Sequence, residues 1–301
     1  MATQNHNALR LMSYNCRGYN SYKREYLSHM IMNCDILYVQ EHWLCTEQID
    51  QLRDVSADFH VTGVSGFDNK EVLRGRPYGG TAILWRKDLH VFIDNIETHS
   101  KRVCGLHRYD NMNINLLLLN VYMPCDTTDV ERDEFSVVLS VISSIIDIYP
   151  DAMVILGGDF NVDFARHTTN CQALMSFCLE HNIEPVVKHE KCSVDFTYNF
   201  CMQRFSTIDH FFVSKYMFES CVDSVNVCHD VDNYSDHAPL ILHLKNMNWS
   251  DYVHVSEKTG TCRTAWYKAN DRHLMEYKML LSNHLAEVCL PRDVLTCHDV
   301  K

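Results

Sequence analysis

The stretch Met153-Val154-Ile155-Leu156-Gly157-Gly158-Asp159-Phe160-Asn161 decides the fold. Four apolar residues in a row predict a strand buried on both faces. Two glycines then let the backbone turn tightly and be approached closely. An acid and an amide follow at the strand's carboxyl end, where open α/β sheets place their ligands. A carboxylate there can hold a metal or take a proton from water, and an amide can donate to an oxyanion without adding charge. The pair suits hydrolysis of a phosphate ester. Asp or Asn after a strand is also ordinary turn chemistry, so the reading depends on the other strand ends.

Upstream, Leu9 to Asn15 and Asp35 to Glu41 have the same apolar-then-polar form, separated by a helical pattern over Tyr22 to Met32 with Tyr26, Leu27, Met30 and Ile31 on one face. Gly79 to Trp85 and Ile114 to Tyr122 are two more strands, the second stopped by Pro124. A helix is predicted over Asp129 to Ile148, with Val130, Phe135, Val138, Leu139, Ile142 and Ile146 apolar, and another from about Cys171 to His181. Thr207 to Val213 and His237 to Leu244 complete the strands, with loops at Lys70 to Tyr78 and Lys215 to Asp232. Helices alternating with strands predict an α/β protein. Because several strands succeed one another between Phe59 and Tyr122, two packed mixed sheets with helices outside fit better than one parallel sheet.

The chain has 301 residues, 46% of them hydrophobic, enough for a sizeable core. The composition shifts after Met247, so residues 1–247 are expected to form the main domain and 248–301 a linker followed by an amphipathic helix over Trp266 to Val288, ended by Pro291. That helix either packs back on the domain or connects to a further one. The polar start, Met1 to Arg10, predicts no signal peptide, and no apolar run is long enough to span a membrane. The 14 cysteines contain no CxxC pair, which predicts reduced, mostly buried thiols in cytosol or nucleus rather than a secreted chain. The minor alternative is a zinc site using Cys289, Cys297 and His298. A net charge of −12 argues against coating nucleic acid by bulk electrostatics, but not against a metal-loaded centre with a local basic rim.

Polar residues recur at the strand ends: Asn15, Glu41, Tyr122, Asp159 with Asn161, Asp209 with His210, and Ser235-Asp236-His237. Each alone has a structural explanation, as a surface charge, a satisfied histidine or a turn. Together they have the form of an active site at one end of a sheet. Glu41 is the best ligand for a hard divalent cation, with Asn15 and Asp236 as further candidates. Asp159 can deprotonate a water, Asn161 can donate to a phosphate oxygen or hold Asp159, and Tyr122 can donate to the phosphate. A protonated His237, kept charged and oriented by Asp209, can stabilise the transition state. No covalent nucleophile stands out, so water attacks directly.

These motifs resemble those of the endonuclease/exonuclease/phosphatase superfamily, which includes apurinic/apyrimidinic endonucleases, DNase I, inositol polyphosphate 5-phosphatases and sphingomyelinases. The matching pieces are Ser13-Tyr14-Asn15, Gln40-Glu41, Gly79 to Leu84, Asn120 to Pro124, Gly158 to Asn161, Ser206 to Phe211 and Ser235 to His237, in the family's order over about residues 9 to 245. The resemblance implies a four-layered α/β sandwich, a requirement for Mg²⁺ or Mn²⁺ and phosphodiester hydrolysis. Trp85 to Leu89, the Phe196-Thr197-Tyr198 run and the tail with Trp266-Tyr267-Lys268-Ala269 are most similar to the endonuclease domain of non-LTR (LINE-type) retrotransposons. That likeness implies nicking of DNA to leave a 3′-hydroxyl, Thr197 near the DNA-contacting side, and a reverse transcriptase downstream of such a domain. No reverse transcriptase is present in these residues, which fits an excised domain, a truncated element or a host-adopted gene.

Val162-Asp163-Phe164 stands where repair endonucleases of this fold carry an Ala-His pair, which weakens a repair role. Phosphatases of the fold put basic residues there, and Asp163 disfavours a highly phosphorylated substrate. The alternatives are thus a phosphatase or phosphodiesterase acting on inositol or lipid phosphates, and a non-catalytic binding module. Export is a further rival: Asn233-Tyr234-Ser235 would then be a glycosylation sequon beside His237.

Overall fold

The computed structural model of the protein describes residues 8–67, 76–89, 92–109, 115–201 and 203–245, with positions 275, 278 and 279 of the tail. The chain separates into two compact units, Met1–Thr259 and Gly260–Lys301. The expected linker over 248–264, all but those three positions of the Trp266 to Val288 helix, the Cys289/Cys297/His298 cluster and most of the 70–78 loop lie outside the described residues.

The first half runs β1 (Leu9–Asn15), α1 (Ser21–Met30), β2 (Ile36–Gln40), β3 (Phe59–Val64), β4 (Thr81–Arg86), β5 (Phe92–Ile96), β6 (Val103–Tyr109) and β7 (Asn115–Tyr122). After α2 (Asp129–Ile148) come β8 (Met153–Asp159), α3 (Thr169–Glu180), β9 (Ile183–Pro185), β10 (Cys192–Ser193), β11 (Tyr198–Phe200) and β12 (Arg204–Ser206). Then come β13 (Asp209–Ser214), α4 (Lys215–Ser220), β14 (Val222–Val227) and β15 (Leu240–Leu244). The strands form a seven-stranded sheet, β10-β14-β15-β1-β2-β4-β3, a six-stranded sheet, β5-β6-β7-β8-β13-β9, and the separate β11-β12 ribbon. Both large sheets are mixed: β1 pairs β2 in parallel and β15 antiparallel, and β7 pairs β8 in parallel while β13 runs against β8.

Three apolar clusters define four layers. Leu11, Ile36, Tyr38 and Ile83 of the first sheet meet Leu116, Leu118, Ile155 and Phe211 of the second between the sheets. The outer face of the first sheet, with Met12, Tyr14, Leu37 and Val39, is covered by Tyr26, Leu27 and Met30 of α1 and by Leu52 and Val55. The outer face of the second, with Leu117, Leu119, Val154 and Leu156, is covered by Phe135, Val138, Leu139 and Ile142 of α2 and by Leu174 and Phe177 of α3. This is the four-layered α/β sandwich expected from the sequence. Strands buried on both faces explain why their sequences read as unbroken apolar runs rather than alternating ones.

The helices begin where side-chain oxygens satisfy the free amides of the first turn. Asn20 accepts from Lys23 N, Thr168 from Cys171 N, and Thr128 forms a reciprocal capping box with Glu131. Val130, counted in the apolar set of α2, is exposed, because it sits in the first turn off the stripe that faces the sheet. The span 215–232, read as loop, contains α4 and β14, and Thr46–Val55 coils in 3-10 turns that the apolar pattern did not signal. Every described cysteine is free. Among the described residues, no helix is long and apolar enough to cross a membrane.

Candidate active site

The polar strand ends converge because of strand direction. β1 and β2 run in parallel and finish together at Asn15 and Gln40, as β7 and β8 do at Tyr122 and Asp159. β13 runs the other way, so its first residue, Asp209, pairs with Asp159. β15 also runs antiparallel, and His237 lies just ahead of it, bridged to Tyr198 of the β11-β12 ribbon. One end of the sandwich therefore collects side chains from both sheets. A buried network seals the floor below: Gln40 Nε2 donates to Asn120 Oδ1 at 2.6 Å, and Asn120 Nδ2 donates to the carbonyls of Val39 and Ala82 at 2.9 and 2.8 Å.

Asp159 is the hub. Its Oδ2 accepts from Asn15 Nδ2 at 2.9 Å and its Oδ1 from the Asn161 backbone N–H at 2.9 Å. Gly158 takes φ +138°, and a Cβ there would lie 2.0 Å from Val121 O, so the pairing that delivers Asp159 tolerates only glycine. Asn161 sits in the left-handed region at φ 52° and donates through Nδ2 to Met123 O at 2.9 Å, leaving its second amide hydrogen for a ligand.

His237 Nδ1 is bonded to Asp209 Oδ2 at 2.8 Å, and His237 Nε2 lies 3.8 Å from Asp159 Oδ2. That second distance is too long for a hydrogen bond but short enough for one oxygen to sit between the groups. Burial opposes a charge on His237, yet Asp209 and then Asp159 outweigh it and raise the imidazole to about 9. Burial and the nearby Asp209 push the Asp159 carboxyl upward, against the pull of His237. Tyr122 is raised well above its ordinary value by burial and by Glu41 and Asp159, so its phenol stays protonated as a donor.

Glu41 adjoins this group. Its Oε1 accepts from Asn15 Nδ2 at 3.1 Å and its Oε2 from Trp43 Nε1 at 2.8 Å. Arg17, Glu41, Trp43 and Asn161 all hold φ between 49° and 58°. Non-glycine residues in this region cost on the order of 1–3 kcal/mol each, and such strain gathers at functional sites. The ligand-bearing atoms of Asp159, Asp209 and His237 lie within 4.8 Å of one another. An imidazole held protonated, with Asp209 bonded to its Nδ1–H, is a poor ligand for a cation, whereas Glu41 with the Asn15 amide offers the oxygen donors a hard divalent ion takes.

Of the residues singled out at the strand ends, Asn15, Glu41, Tyr122, Asp159, Asn161, Asp209, Asp236 and His237 lie at this end of the fold. Asp236 is held by Arg17 Nη1 at 2.7 Å. Thr197, expected toward DNA, is fully buried: its hydroxyl accepts from the backbone N–H groups of Ile208 and Asp209, both at 3.0 Å, fixing the turn that presents Asp209. His210, next to Asp209, points the other way, donates through Nε2 to Val162 O at 2.7 Å and packs among Phe160, Phe164 and Phe212. Burial lowers its pKa, the pattern of a core histidine.

Tyr14, Asn233 and Ser235 stand in motifs of the sequence, which gave none of them the role of holding the His237 loop. Tyr14 OH donates to Asn233 Oδ1 at 2.7 Å, Asn233 Nδ2 donates to His237 O at 2.6 Å, and Ser235 Oγ donates to Asn15 O at 2.7 Å. The Asn233 side chain is thus engaged within the fold, where a glycan on Nδ2 would displace the bond to His237.

No curated protein matches the chain by sequence. Among solved structures, the endonuclease domain of TRAS1, a telomere-specific non-LTR retrotransposon, is similar with a TM-score of 0.59 at 14% identity, over 80% of this chain and 99% of that one. The apurinic/apyrimidinic endonuclease LMAP from Leishmania major gives 0.63 at 14% identity, over 79% and 88%. A mannosyl-6-phosphatase from Bacteroides thetaiotaomicron gives 0.56 at 23% identity, over 78% and 99%. At these identities the likeness is one of fold. The model of the endonuclease/exonuclease/phosphatase family matches residues 12–237, from β1 to the histidine of the site, and by that match the chain belongs to this family.

Proposed function

We propose that the protein is a divalent-metal-dependent endonuclease that hydrolyses one phosphodiester bond of DNA and leaves a 3′-hydroxyl. The observation that carries the chemistry is the buried Asp159–His237–Asp209 group beside Glu41. The donor set fits Mg²⁺ or Mn²⁺: Glu41 and Asn15 would hold the ion, with Asp236 in reserve if Arg17 releases it. Bound there, such an ion neutralises charge on the scissile phosphate and the leaving oxygen.

The chain's own groups do the rest. Asp159 orients a water through one oxygen while Asn15 and the Asn161 N–H fix the carboxylate, and its raised pKa brings it toward the range of an efficient base at neutral pH. As the water attacks the phosphorus, its proton passes to Asp159, the P–O3′ bond breaks, and the departing oxygen takes a proton from solvent to become the 3′-hydroxyl. His237, kept as imidazolium by Asp209, donates from Nε2 to a non-bridging oxygen that gains charge. Tyr122 OH and the free Asn161 amide hydrogen donate to the same phosphate. Thr197 acts one step back by holding the Asp209 backbone.

DNA is favoured over a small phosphate ester by the β11-β12 ribbon. It exposes Phe200, Phe205 and Arg204, is tied to the site by Asn199 N donating to Asp236 O at 2.9 Å, and lays the Tyr198 ring 4.9 Å from that of His237. A two-stranded ribbon carrying aromatic and cationic side chains is shaped to enter a groove of a duplex. Arg76, stacked on Trp43, brings a cation near the site of an otherwise acidic chain, while Arg17 and Arg102 there are paired with Asp236 and Glu134. The likeness to a retrotransposon endonuclease supports the same substrate, a nuclear or cytoplasmic setting and a reverse transcriptase as the natural partner.

Supercoiled plasmid incubated with the protein should yield nicked circles with 3′-hydroxyl ends in Mg²⁺ and none with a chelator. Release of phosphate from inositol or sugar phosphates without plasmid nicking would refute the nuclease reading in favour of a phosphatase.

A further inference from the structure

Glu41 has a neighbour that the proposed chemistry does not use. Trp43 follows it by two residues, and both adopt left-handed backbone, at φ 53° and 58°. A bulky residue in that region is an outlier that surrounding contacts must enforce. Those contacts are present. Gly18 N donates to Glu41 O at 2.7 Å, Tyr19 N to His42 O at 3.0 Å and Trp43 N to Gly79 O at 3.1 Å. Between them His42 is fully buried, accepting from Leu44 N at Nδ1 and bonded through Nε2 to Val64 O.

The indole is clamped on two sides. A Cβ on Gly18 would fall 2.4 Å from Trp43 Cε3, so the ring lies directly on the Gly18 backbone. The Arg76 guanidinium lies 4.8 Å from the ring centroid. The product of this arrangement is one bond, Trp43 Nε1–H donating to Glu41 Oε2 at 2.8 Å. With Asn15 on Oε1, the two oxygens of the carboxylate are separately held. A carboxylate so held, with the Tyr122 hydroxyl as a further hydrogen-bond neighbour, is oriented in advance instead of rotating, which suits Mg²⁺, with its demand for near-ideal geometry, more than the adaptable Ca²⁺.

We propose that Trp43 is a positioning residue for the metal centre, fixing Glu41 through its indole N–H. The inference rests on the reading of Glu41 as a ligand for the divalent ion. Its test is Mn²⁺ binding followed by electron paramagnetic resonance, in which the free ion's signal falls as it binds, for the wild type, Trp43→Phe and Glu41→Gln. Phenylalanine keeps a ring between Gly18 and Arg76 and removes only the donor. Loss of an outer partner of a ligand should weaken Mn²⁺ binding ~10–100-fold in Trp43→Phe, with thermal unfolding in chelator unchanged. The Mg²⁺ midpoint for plasmid nicking should rise by the same factor while kcat at saturating metal recovers, which a merely structural defect would not do.

Wild-type affinity in Trp43→Phe together with lost binding in Glu41→Gln overturns the role of Trp43 and leaves the metal reading standing. Wild-type affinity in Glu41→Gln removes the metal reading and this inference with it. Independently of any variant, the Trp43 indole N–H resonance of the wild-type protein should broaden on Mn²⁺ addition; an unaffected resonance overturns the proposal.

Discussion

Replacing Asp209 with Asn tests the charge on His237 directly. The substitution keeps shape and removes the carboxylate that sits 2.8 Å from His237 Nδ1 inside a closed site. Burial alone would strip the proton from this imidazole; Asp209 is the first group that reverses this, and the balance stands at about 9. Without it, burial is opposed only by Asp159 and Asp236, and the group falls from about 9 toward ~6.5, the unperturbed value. At pH 8 the protonated fraction then drops from ~0.9 to ~0.03, a ~30-fold loss of rate, or ~2 kcal/mol in the barrier. At pH 6 the same fractions are ~1 and ~0.75, less than a twofold loss. Asp159 moves in a concordant direction: with Asp209 neutral its carboxyl loses an upward push, which helps the variant at low pH. The assay is the initial rate of plasmid nicking at pH 6, 7 and 8 in saturating Mg²⁺, with thermal unfolding as the check on folding. A deficit that is the same at every pH, or absent at pH 8, refutes the imidazolium role and reduces Asp209 to a packing partner.

Asp159→Ala and His237→Ala should each lower nicking by ~10³-fold or more, since each removes a group acting only in the transition state; a variant within tenfold of wild type would remove that residue from the mechanism. Gly158→Ala should fail to fold or lose at least ~3 kcal/mol in urea unfolding, because φ +138° and a 2.0 Å clash with Val121 O leave a methyl no place. Acid should destabilise the protein through His42, which burial lowers to about 4. An unfolded histidine binds its proton near 6.5, so the unfolded state binds more protons between these values; the stability is complete above 6.5 and is lost as pH falls through this window, by ~3 kcal/mol in all. His42→Gln should flatten this slope between pH 7 and 4.5, and an unchanged slope would assign it elsewhere. Thr197→Val should reduce kcat more than KM by loosening Asp209, whereas a change confined to KM would return Thr197 to the substrate.

The strand ends were legible because their chemistry is local. Four apolar residues, two glycines, an acid and an amide state a buried strand, a tight exit and a polar tip within nine residues, and β8 supplies all three. Asn15, Glu41 and Tyr122 repeat the pattern, and a shared strand direction is enough to gather them. The supporting residues leave no such trace. Trp43 reaches Glu41 only because both of these residues, with His42 between them, adopt φ above 50° just after β2, a choice enforced by Gly18, Gly79 and Val64 from three other segments. Tyr14 looks like core filler in an apolar strand, yet its hydroxyl holds Asn233 and through it the carbonyl of His237, more than two hundred residues away. Thr197 misled for the complementary reason. Its motif suggested a position near DNA, but Thr197 is fully buried, and its hydroxyl accepts the backbone N–H groups of Ile208 and Asp209. A motif identifies the atoms that meet the phosphate, because those must be of one chemical kind; the atoms that hold them need only supply a donor or acceptor at the right point, and many residues can do that. The outer partners are therefore legible only once the chain is folded, and Trp43 donating to Glu41 across two left-handed residues is the case that shows it.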